Sequence, residues 1–355
     1  MFLSIGIVSR LGVAAPPAAR AAPAAAPARD REALMTVTIM PRSTSAGMRK
    51  TALVYLDGRI DADAPRRLGE ALDGVEGKIA VWLNSPGGNL FAGMELGRII
   101  RKRGASTHIV DHRTLRPGTC YSACAMTFLG GVYRFNENGG RYGVHRASLL
   151  VGPNGKLDLG KDLSAAIEIY IREMGVDPRL LDLCLRAGRD EMYVLSPQEA
   201  KGLGVVNNGR NPPEWSIGAF PGGTALHGRQ STIDGAGTVF FSCDGTQTLL
   251  GAIYESAGTG ESGAAPSWTH LLTIGRHERL PLKPLSVSSR DDILRSTFVL
   301  PPNLVRLAMS ARHIGYQMKP SSDRPPSVDY RVDIDGRSAS MVRKFLGDCL
   351  RRPAK

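Results

Sequence analysis

Apolar and polar residues follow a repeating order between about residues 51 and 207. Two short apolar runs, TALVYL at 51–56 and KIAVWL at 78–83, predict strands, and the unbroken second run suits a sheet that is covered on both faces. Apolar residues three and four positions apart predict helices, most clearly over 91–103 and 159–174. Strands that alternate with helices predict an α/β domain with a mostly parallel sheet.

Shorter elements continue the same alternation. The pattern predicts strands over 106–110, 132–135, 142–145 and 192–195, and a helix of small residues over 122–129. Asp177 and Pro178 open a further helix that runs to about 185. Ser196 and Glu199 have the spacing of a capping box, with a proline at the first helical position, so we expect another helix to begin there.

The amino-acid composition changes after Trp215. Gly, Ser, Thr and Pro become frequent, and short β-prone runs occur at 238–242, 249–254, 268–274, 296–300 and 330–334. A final helix fits residues 338–350. We therefore predict three parts: a tail and Ala/Pro-rich linker over 1–48, an α/β domain over 49–215, and a smaller, mainly β domain with a C-terminal helix over 216–355.

The first 28 residues are apolar, rich in Ala and Pro, and free of acidic side chains. Several A-x-A-like sites within them are typical of an export signal followed by a linker, although Arg10 interrupts the apolar part and no basic segment precedes it. A start codon assigned too far downstream would explain that departure. We expect a periplasmic or secreted protein, and the alternative is a disordered Ala/Pro tail.

The net charge and the cysteines bear on the partners of the protein and on its disulfide bonds. The net charge is +12, but the excess arginines are scattered, and no zinc-finger, RNP-like or basic heptad pattern accompanies them, so we expect a solvated basic surface and no nucleic-acid partner. The chain has five cysteines. Cys243 and Cys349 are the favoured disulfide pair in an oxidising compartment, and Cys184 could pair with Cys120 or Cys124.

Two segments and one histidine carry the candidate chemistry. Asn84-Ser-Pro-Gly-Gly88 is a glycine-rich turn between an apolar strand and a helix, where bare amides can hold developing negative charge. Cys120-Tyr-Ser-Ala-Cys124 places Ser122 between small residues at the start of a helix. His145 ends a predicted strand 23 residues downstream of that serine. A serine beside a histidine and an amide-rich turn is an arrangement suited to nucleophilic catalysis.

This ordered set resembles the ClpP family of the ClpP/crotonase superfamily, in particular exported bacterial proteins with a ClpP-like domain. The end of the domain is also similar, since residues 193–200 (YVLSPQEA) and 204–207 (GVVN) match the family's last strand, helix and strand. The resemblance covers about residues 51–210. It implies a ClpP/crotonase-like fold, a serine peptidase that acts on polypeptides without a cofactor, and assembly into homo-oligomeric rings.

Carried over to this sequence, the resemblance implies specific roles. Ser122 would attack the acyl carbon, and His145 would accept its proton and return it to the leaving group. The amides of Gly87 or Gly88, together with that of Ala123, would form the oxyanion hole.

The third member of the triad departs from the family's pattern. Asp190 is the nearest acid, but it lies about two residues before the aligned place, where Met192 or Tyr193 stands. Either a longer loop brings Asp190 to His145, or the site is a dyad, or its activity has been lost.

Several other interpretations remain open. Ser122 could be a plain helix cap, His145 a half-buried polar residue and Asp190 a solvated turn residue. Cys120 and Cys124 could be nucleophiles, although packing or disulfide roles are favoured. The histidines His108, His112 and His145 lack the carboxylate spacing of a metal site.

The alternatives for the whole protein are a decayed, non-enzymatic binding or scaffold protein and a crotonase-like acyl-CoA enzyme. No P-loop occurs, so we expect an ATP-independent enzyme, with a C-terminal domain that recruits substrate or provides envelope association.

Overall fold

The structure is a computed structural model that describes residues 33–40, 51–136, 139–146, 160–188, 191–220, 223–243, 247–257, 268–275, 278–290, 292–319 and 328–351. Within these residues the chain is a mixed α/β protein with several sheets and eight helices. The proposed export signal lies outside the described residues. No described helix is both long and apolar enough to cross a lipid bilayer.

The described residues of the first part of the chain form nine strands and six helices. The strands are β1 (Thr36–Met40), β2 (Thr51–Asp57), β3 (Lys78–Asn84), β4 (Ser106–Asp111), β5 (Arg116–Pro117), β6 (Thr119–Tyr121), β7 (Tyr133–Phe135), β8 (Arg141–Val144) and β9 (Tyr193–Val194). The helices are α1 (Ala64–Leu72), α2 (Leu90–Lys102), α3 (Ala123–Leu129), α4 (Gly160–Glu173), α5 (Leu180–Arg186) and α6 (Pro197–Gly202). The predicted strands and helices occur to within a few residues of their expected bounds, whereas β1, β5 and β6 were not predicted.

Two sheets organise this part. The larger has the order β1-β2-β3-β4-β5, with β7 also on β4; β2, β3, β4 and β7 run parallel, whereas β1 and β5 are antiparallel edges. The smaller has the order β6-β8-β9, with β6 and β8 parallel. One apolar cluster, with members from Met35 to Val206, packs against both sheets.

The predicted capping box is confirmed, because Ser196 Oγ accepts a hydrogen bond from the Glu199 amide and the Glu199 carboxylate accepts one from the Ser196 amide.

Strand β1 corrects one prediction. Residues 36–40 were expected to belong to the linker, but they pair antiparallel with β2 along the edge of the larger sheet. None of the five strand residues is fully buried, so the hydrophobic pattern is weak there. The strand is anchored instead by backbone pairing and by Met35, whose side chain is only 2% exposed.

The second part of the chain is mainly β. Its strands are β10 (Glu214–Phe220), β11 (Gly223–Thr232), β12 (Gly235–Cys243), β13 (Thr248–Ser256), β14 (Thr269–Ile274), β15 (Glu278–Leu282), β16 (Ser286–Arg290), β17 (Ile293–Leu300), β18 (His313–Lys319) and β19 (Val328–Asp333). They form antiparallel sheets ordered β10-β11-β12-β13-β17-β16 and β15-β14-β18-β19. The helices α7 (Pro302–Met309) and α8 (Ser338–Arg351) complete it, and α7 was not predicted.

A second apolar cluster, between Leu226 and Leu346, supports this part. Trp215, which the sequence placed at the end of the first domain, packs against the second cluster instead. The two parts also touch: the Lys78 ammonium donates to the Ile233 carbonyl at 3.0 Å, and the Tyr133 hydroxyl donates to the Thr232 carbonyl at 2.7 Å.

The cysteines pair in two places. Cys243 in β12 is bonded to Cys349 in α8, as predicted. The alternative in which Cys184 pairs with Cys120 or Cys124 is wrong, because Cys120 and Cys124 are bonded to each other. Cys184 is buried with a free thiol, and burial raises its pKa to about 12, so this thiol stays protonated at neutral pH.

Removing the Cys243–Cys349 bond should destabilise the second part of the chain. This bond spans a sequence separation of 106, so it strongly restricts the unfolded chain. In the chain-entropy treatment, a loop of that length is worth about 4 to 5 kcal/mol. We expect the double variant Cys243→Ala/Cys349→Ala to lose free energy of unfolding of that order in urea titrations followed by tryptophan fluorescence. A loss below about 1 kcal/mol would show that the bond constrains little.

Candidate functional site

Strand pairing brings Ser122 and His145 to one edge of the smaller sheet. Strand β6 runs parallel to β8, with Cys120 opposite Tyr142 and Tyr121 opposite Gly143. Ser122 directly follows β6 and His145 directly follows β8. Because parallel strands end at the same edge, the two side chains emerge together, where crevices of α/β sheets usually hold ligands.

The Ser122 backbone has an unusual conformation. Its φ is 57° and its ψ is −119°, values that non-glycine residues seldom adopt. The residue forms a sharp turn from β6 into α3, so its side chain projects from the turn rather than along either element. Such strand–turn–helix geometry is the form of the nucleophile elbow in α/β hydrolases. A strained residue of this kind costs about 1 to 3 kcal/mol and persists only where its surroundings enforce it.

Backbone hydrogen bonds enforce part of this conformation. The Ser122 amide donates to the Gly143 carbonyl at 3.0 Å, and the Ser122 carbonyl accepts the Ala125 amide at 2.9 Å. One residue earlier, the Tyr121 amide donates to the Ser85 carbonyl at 3.1 Å. The serine turn is therefore attached both to β8 and to the glycine-rich turn that follows β3.

Gly87 lies directly behind the serine. A β-carbon at this position would lie 2.6 Å from the Tyr121 carbonyl oxygen and 2.7 Å from the Ser122 β-carbon. The φ of Gly87 is 102°, which other residues also resist. Two independent constraints, the close approach of the two turns and the positive φ, thus require glycine here.

The backbone amides of Gly87, Gly88 and Ala123 are the candidate oxyanion donors. The Gly87 amide donates to the Ser85 hydroxyl at 3.1 Å, so it already has an acceptor. The amides of Gly88 and Ala123, by contrast, donate to no backbone carbonyl within the described part of the chain. Gly88 is exposed, and Ala123 begins α3, where the first amides have no partner inside the helix.

His145 contacts Ser122 directly. The Nε2 atom of His145 lies 2.7 Å from the Ser122 Oγ, which is hydrogen-bond distance. Both residues are partly exposed, so the pair is open to solvent on one side. The other ring nitrogen, Nδ1, is buried and has no hydrogen-bond partner among the described residues. Among the described residues the site therefore consists of a serine hydroxyl at hydrogen-bond distance from an imidazole, with no acid on the other ring nitrogen.

Strand β9 shows what lies opposite the histidine. Val144 pairs with Tyr193 across β8 and β9, and the next residues in this antiparallel register are His145 and Met192. The strand pairing ends at Val144 and Tyr193, and the residue that would continue the register toward His145 is Met192, which carries a thioether rather than a carboxylate. Asp190, the predicted third member, lies outside the described residues.

The Cys120–Cys124 disulfide flanks the serine. It joins the middle of β6 to the first turn of α3, with Ser122 at the centre of the closed segment and a Cα–Cα distance of 5.0 Å. Sequence reasoning considered these cysteines as packing residues or disulfide partners but missed the bond between them. The signal was the spacing of four residues across a strand-to-helix change, which brings two α-carbons within disulfide range.

The other two candidate metal histidines have separate environments. His108 stacks on Phe135 with ring centroids 4.7 Å apart, and His112 stacks on Tyr55 at 4.4 Å. His145 contacts Ser122 instead. In the described ranges, no three potential metal ligands converge.

Replacing Gly87 should disrupt the serine turn. Gly87→Ala would force a β-carbon against backbone atoms, so we expect a stability loss of about 2 to 4 kcal/mol and displacement of Ser122. Gly74→Ala is the matched control, because Gly74 has a φ of 74° but open space around its α-carbon. Its loss should stay near 1 kcal/mol. Urea titrations of both variants compare the two, and equal losses would contradict the proposed close contact.

His108 should make stability depend on pH. Burial lowers the pKa of His108 from 6.5 to about 4, so between these values the unfolded chain binds a proton that the folded chain does not. Stability therefore falls as the pH drops from 6.5 toward 4, and this histidine has no effect above that window. Between pH 7 and 4.5 we expect the wild type to lose about 2 to 3 kcal/mol more than His108→Phe in urea titrations. If the wild type and His108→Phe lose the same free energy of unfolding, burial does not lower the pKa of His108.

Comparison with known proteins gives distant likenesses only. No protein-family model and no curated protein matches the sequence. Among solved structures, a variant of the membrane-bound stomatin-specific protease 1510-N is 19% identical over 44% of this chain and 75% of that chain, with a TM-score of 0.33. A variant of ClpP1 from Listeria monocytogenes is 24% identical over 44% of this chain and 89% of that chain, also with a TM-score of 0.33. At these values, function has to be inferred from the site itself.

Proposed function

We propose that the protein is a serine hydrolase in which Ser122 forms an acyl-enzyme and His145 is the general base. The observation that carries this proposal is the 2.7 Å contact between the Ser122 Oγ and the His145 Nε2. A helix cap would not need this contact, nor would it need the strained backbone that turns the hydroxyl outward. Together the two features match the roles that nucleophilic catalysis requires.

The first half of the reaction forms the acyl-enzyme. The Ser122 Oγ attacks the carbonyl carbon of the substrate while its proton passes to the His145 Nε2. The carbonyl electrons move to the oxygen, and the amides of Gly88 and Ala123 can hold that oxyanion. The intermediate then collapses, and His145 returns the proton to the departing amine or alcohol.

The second half releases the product. Water takes the place of the leaving group and gives its proton to His145 as it attacks the acyl carbon. Collapse of the second intermediate breaks the bond to the Ser122 Oγ, which regains its proton from His145. The buried Nδ1 of His145 needs a partner to stabilise the imidazolium in both halves, and we propose the Asp190 carboxylate for this role.

The setting of the proposed enzyme follows from its disulfides. Two disulfide bonds favour an oxidising compartment, so we propose action in the periplasm or outside the cell. Polypeptides are the proposed substrate, by analogy with the resemblance seen in the sequence. The chain would act as a homo-oligomer and without ATP. The β-rich second part is proposed to recruit substrate or to attach the enzyme to the cell envelope.

One observation favours a second candidate, a binding or scaffold protein without catalytic activity. The described residues provide no acid for the buried His145 Nδ1, and the residue that continues the β8–β9 register beyond Val144 and Tyr193 is Met192. A site that has lost its acid would keep the fold and the Ser122–His145 contact but react slowly. Reactivity separates the two candidates.

A fluorophosphonate probe tests the hydrolase. The probe phosphonylates an activated serine, so the wild type should be labelled and Ser122→Ala should not. His145→Ala should lower the labelling rate by at least about 10³-fold, because the hydroxyl then lacks its base. Ser288→Ala, which removes an exposed serine on β16, is the control and should be labelled like the wild type.

The same experiment identifies the second candidate. A wild type that is folded by circular dichroism and remains unlabelled rules out the hydrolase and supports the scaffold. Equal labelling of wild type and Ser122→Ala would show that another residue reacts. Asp190→Asn tests whether Asp190 is the third member of the triad, and we expect this variant to be labelled about 10³- to 10⁴-fold more slowly than the wild type.

A further inference from the structure

We infer that the Cys120–Cys124 disulfide positions the proposed nucleophile, so that the site is fully reactive only in the oxidised protein. This inference depends on the proposed function, because it concerns the reactivity of Ser122. The bond closes a short segment, and the strained serine is its central residue. Neither cysteine contacts substrate in this account, and both act through the backbone of Ser122.

The location of the bond suits this role. Cys120 belongs to β6 and Cys124 to α3, so the bond joins the two elements between which the chain turns. Both cysteines are 0% exposed. The sulfurs therefore lie beneath the turn, in the apolar cluster, while the Ser122 hydroxyl points toward His145 on the accessible side.

The strain at Ser122 explains why such a bond is needed. The φ of Ser122 is 57°, so rotation to negative φ would lower the conformational energy of the residue. This rotation would move the hydroxyl away from the His145 ring. Backbone hydrogen bonds to Gly143 and Ala125 resist the rotation but can break and reform with water. A covalent link two residues to either side limits the rotation without depending on hydrogen bonds.

A bond of this kind contributes less to global stability than the long bond does. It spans a sequence separation of only 4, against 106 for Cys243–Cys349. Because loop-closure entropy grows with loop length, the shorter bond restricts the unfolded chain much less. Its main effect should be local, on the geometry of the serine turn. The two disulfides of one chain therefore form a matched pair for experiment.

The experiment measures phosphonylation kinetics in four variants. Cys120→Ala, Cys124→Ala and the double variant each remove the short bond, and Cys243→Ala/Cys349→Ala removes the long bond as the control. Titration with the fluorophosphonate separates the maximal rate constant, kinact, from the half-saturating concentration, KI. Circular dichroism confirms folding, and mass spectrometry confirms which bond each protein retains.

The inference predicts a specific pattern. Loss of the short bond should lower kinact by about ten- to a hundredfold, because small displacements of a nucleophile have effects of this size. KI should stay unchanged, and the two single variants and the double variant should be equally slow, since each lacks the same bond. The Cys243→Ala/Cys349→Ala control should label at the wild-type rate below its melting temperature.

Other outcomes overturn the inference. A double variant that keeps the wild-type kinact shows that the bond does not position Ser122, whereas an unlabelled wild type overturns the proposed function together with this inference. If the variants without the short bond do not fold, the Cys243→Ala/Cys349→Ala protein, which carries only the short bond, is treated with dithiothreitol in their place. The dithiol is oxidised to its cyclic disulfide as Cys120 and Cys124 become thiols. Labelling must then fall in step with the reduced fraction, and labelling that stays constant overturns the inference.

Discussion

The parallel pairing of β6 with β8 is the contact on which the candidate site depends. It sets Tyr121 opposite Gly143, so the residues that follow the two strands emerge side by side. The 2.7 Å contact between Ser122 and His145 is a consequence of this register. A shift of the pairing by one residue would direct one of the two side chains to the opposite face of the sheet, and the contact would be lost.

The strained serine turn is held from three directions. The Gly143 carbonyl of β8 accepts a hydrogen bond from the Ser122 amide, and Gly87 packs too close to the serine turn to carry a side chain. The disulfide between Cys120 and Cys124 closes the turn on its buried side. Each restraint comes from a different segment of the chain, so the conformation is over-determined, as a strained residue requires. An N-cap serine needs none of these restraints, and their convergence on one residue is what favours a reactive role.

Much of the fold could be predicted, because the apolar strands and amphipathic helices of the first part have strong periodicity. Strand β1 could not, since an edge strand with no buried residue gives almost no hydrophobic signal. Ser122 and His145 were found from local motifs and their order. The φ of Ser122, the choice between Gly87 and Gly88 and the bond between Cys120 and Cys124 arise from tertiary contacts, which a sequence pattern does not contain.

The central claim is that Ser122 becomes acylated with the help of His145. The most direct measurement is to mix the protein with p-nitrophenyl acetate, stop the reaction with acid and locate the acetyl group by peptide mass spectrometry. We expect acetyl on the peptide that contains Ser122, and little or none when His145 is replaced by alanine. Acetylation confined to lysines, or acetylation of Ser122 that does not depend on His145, would contradict it.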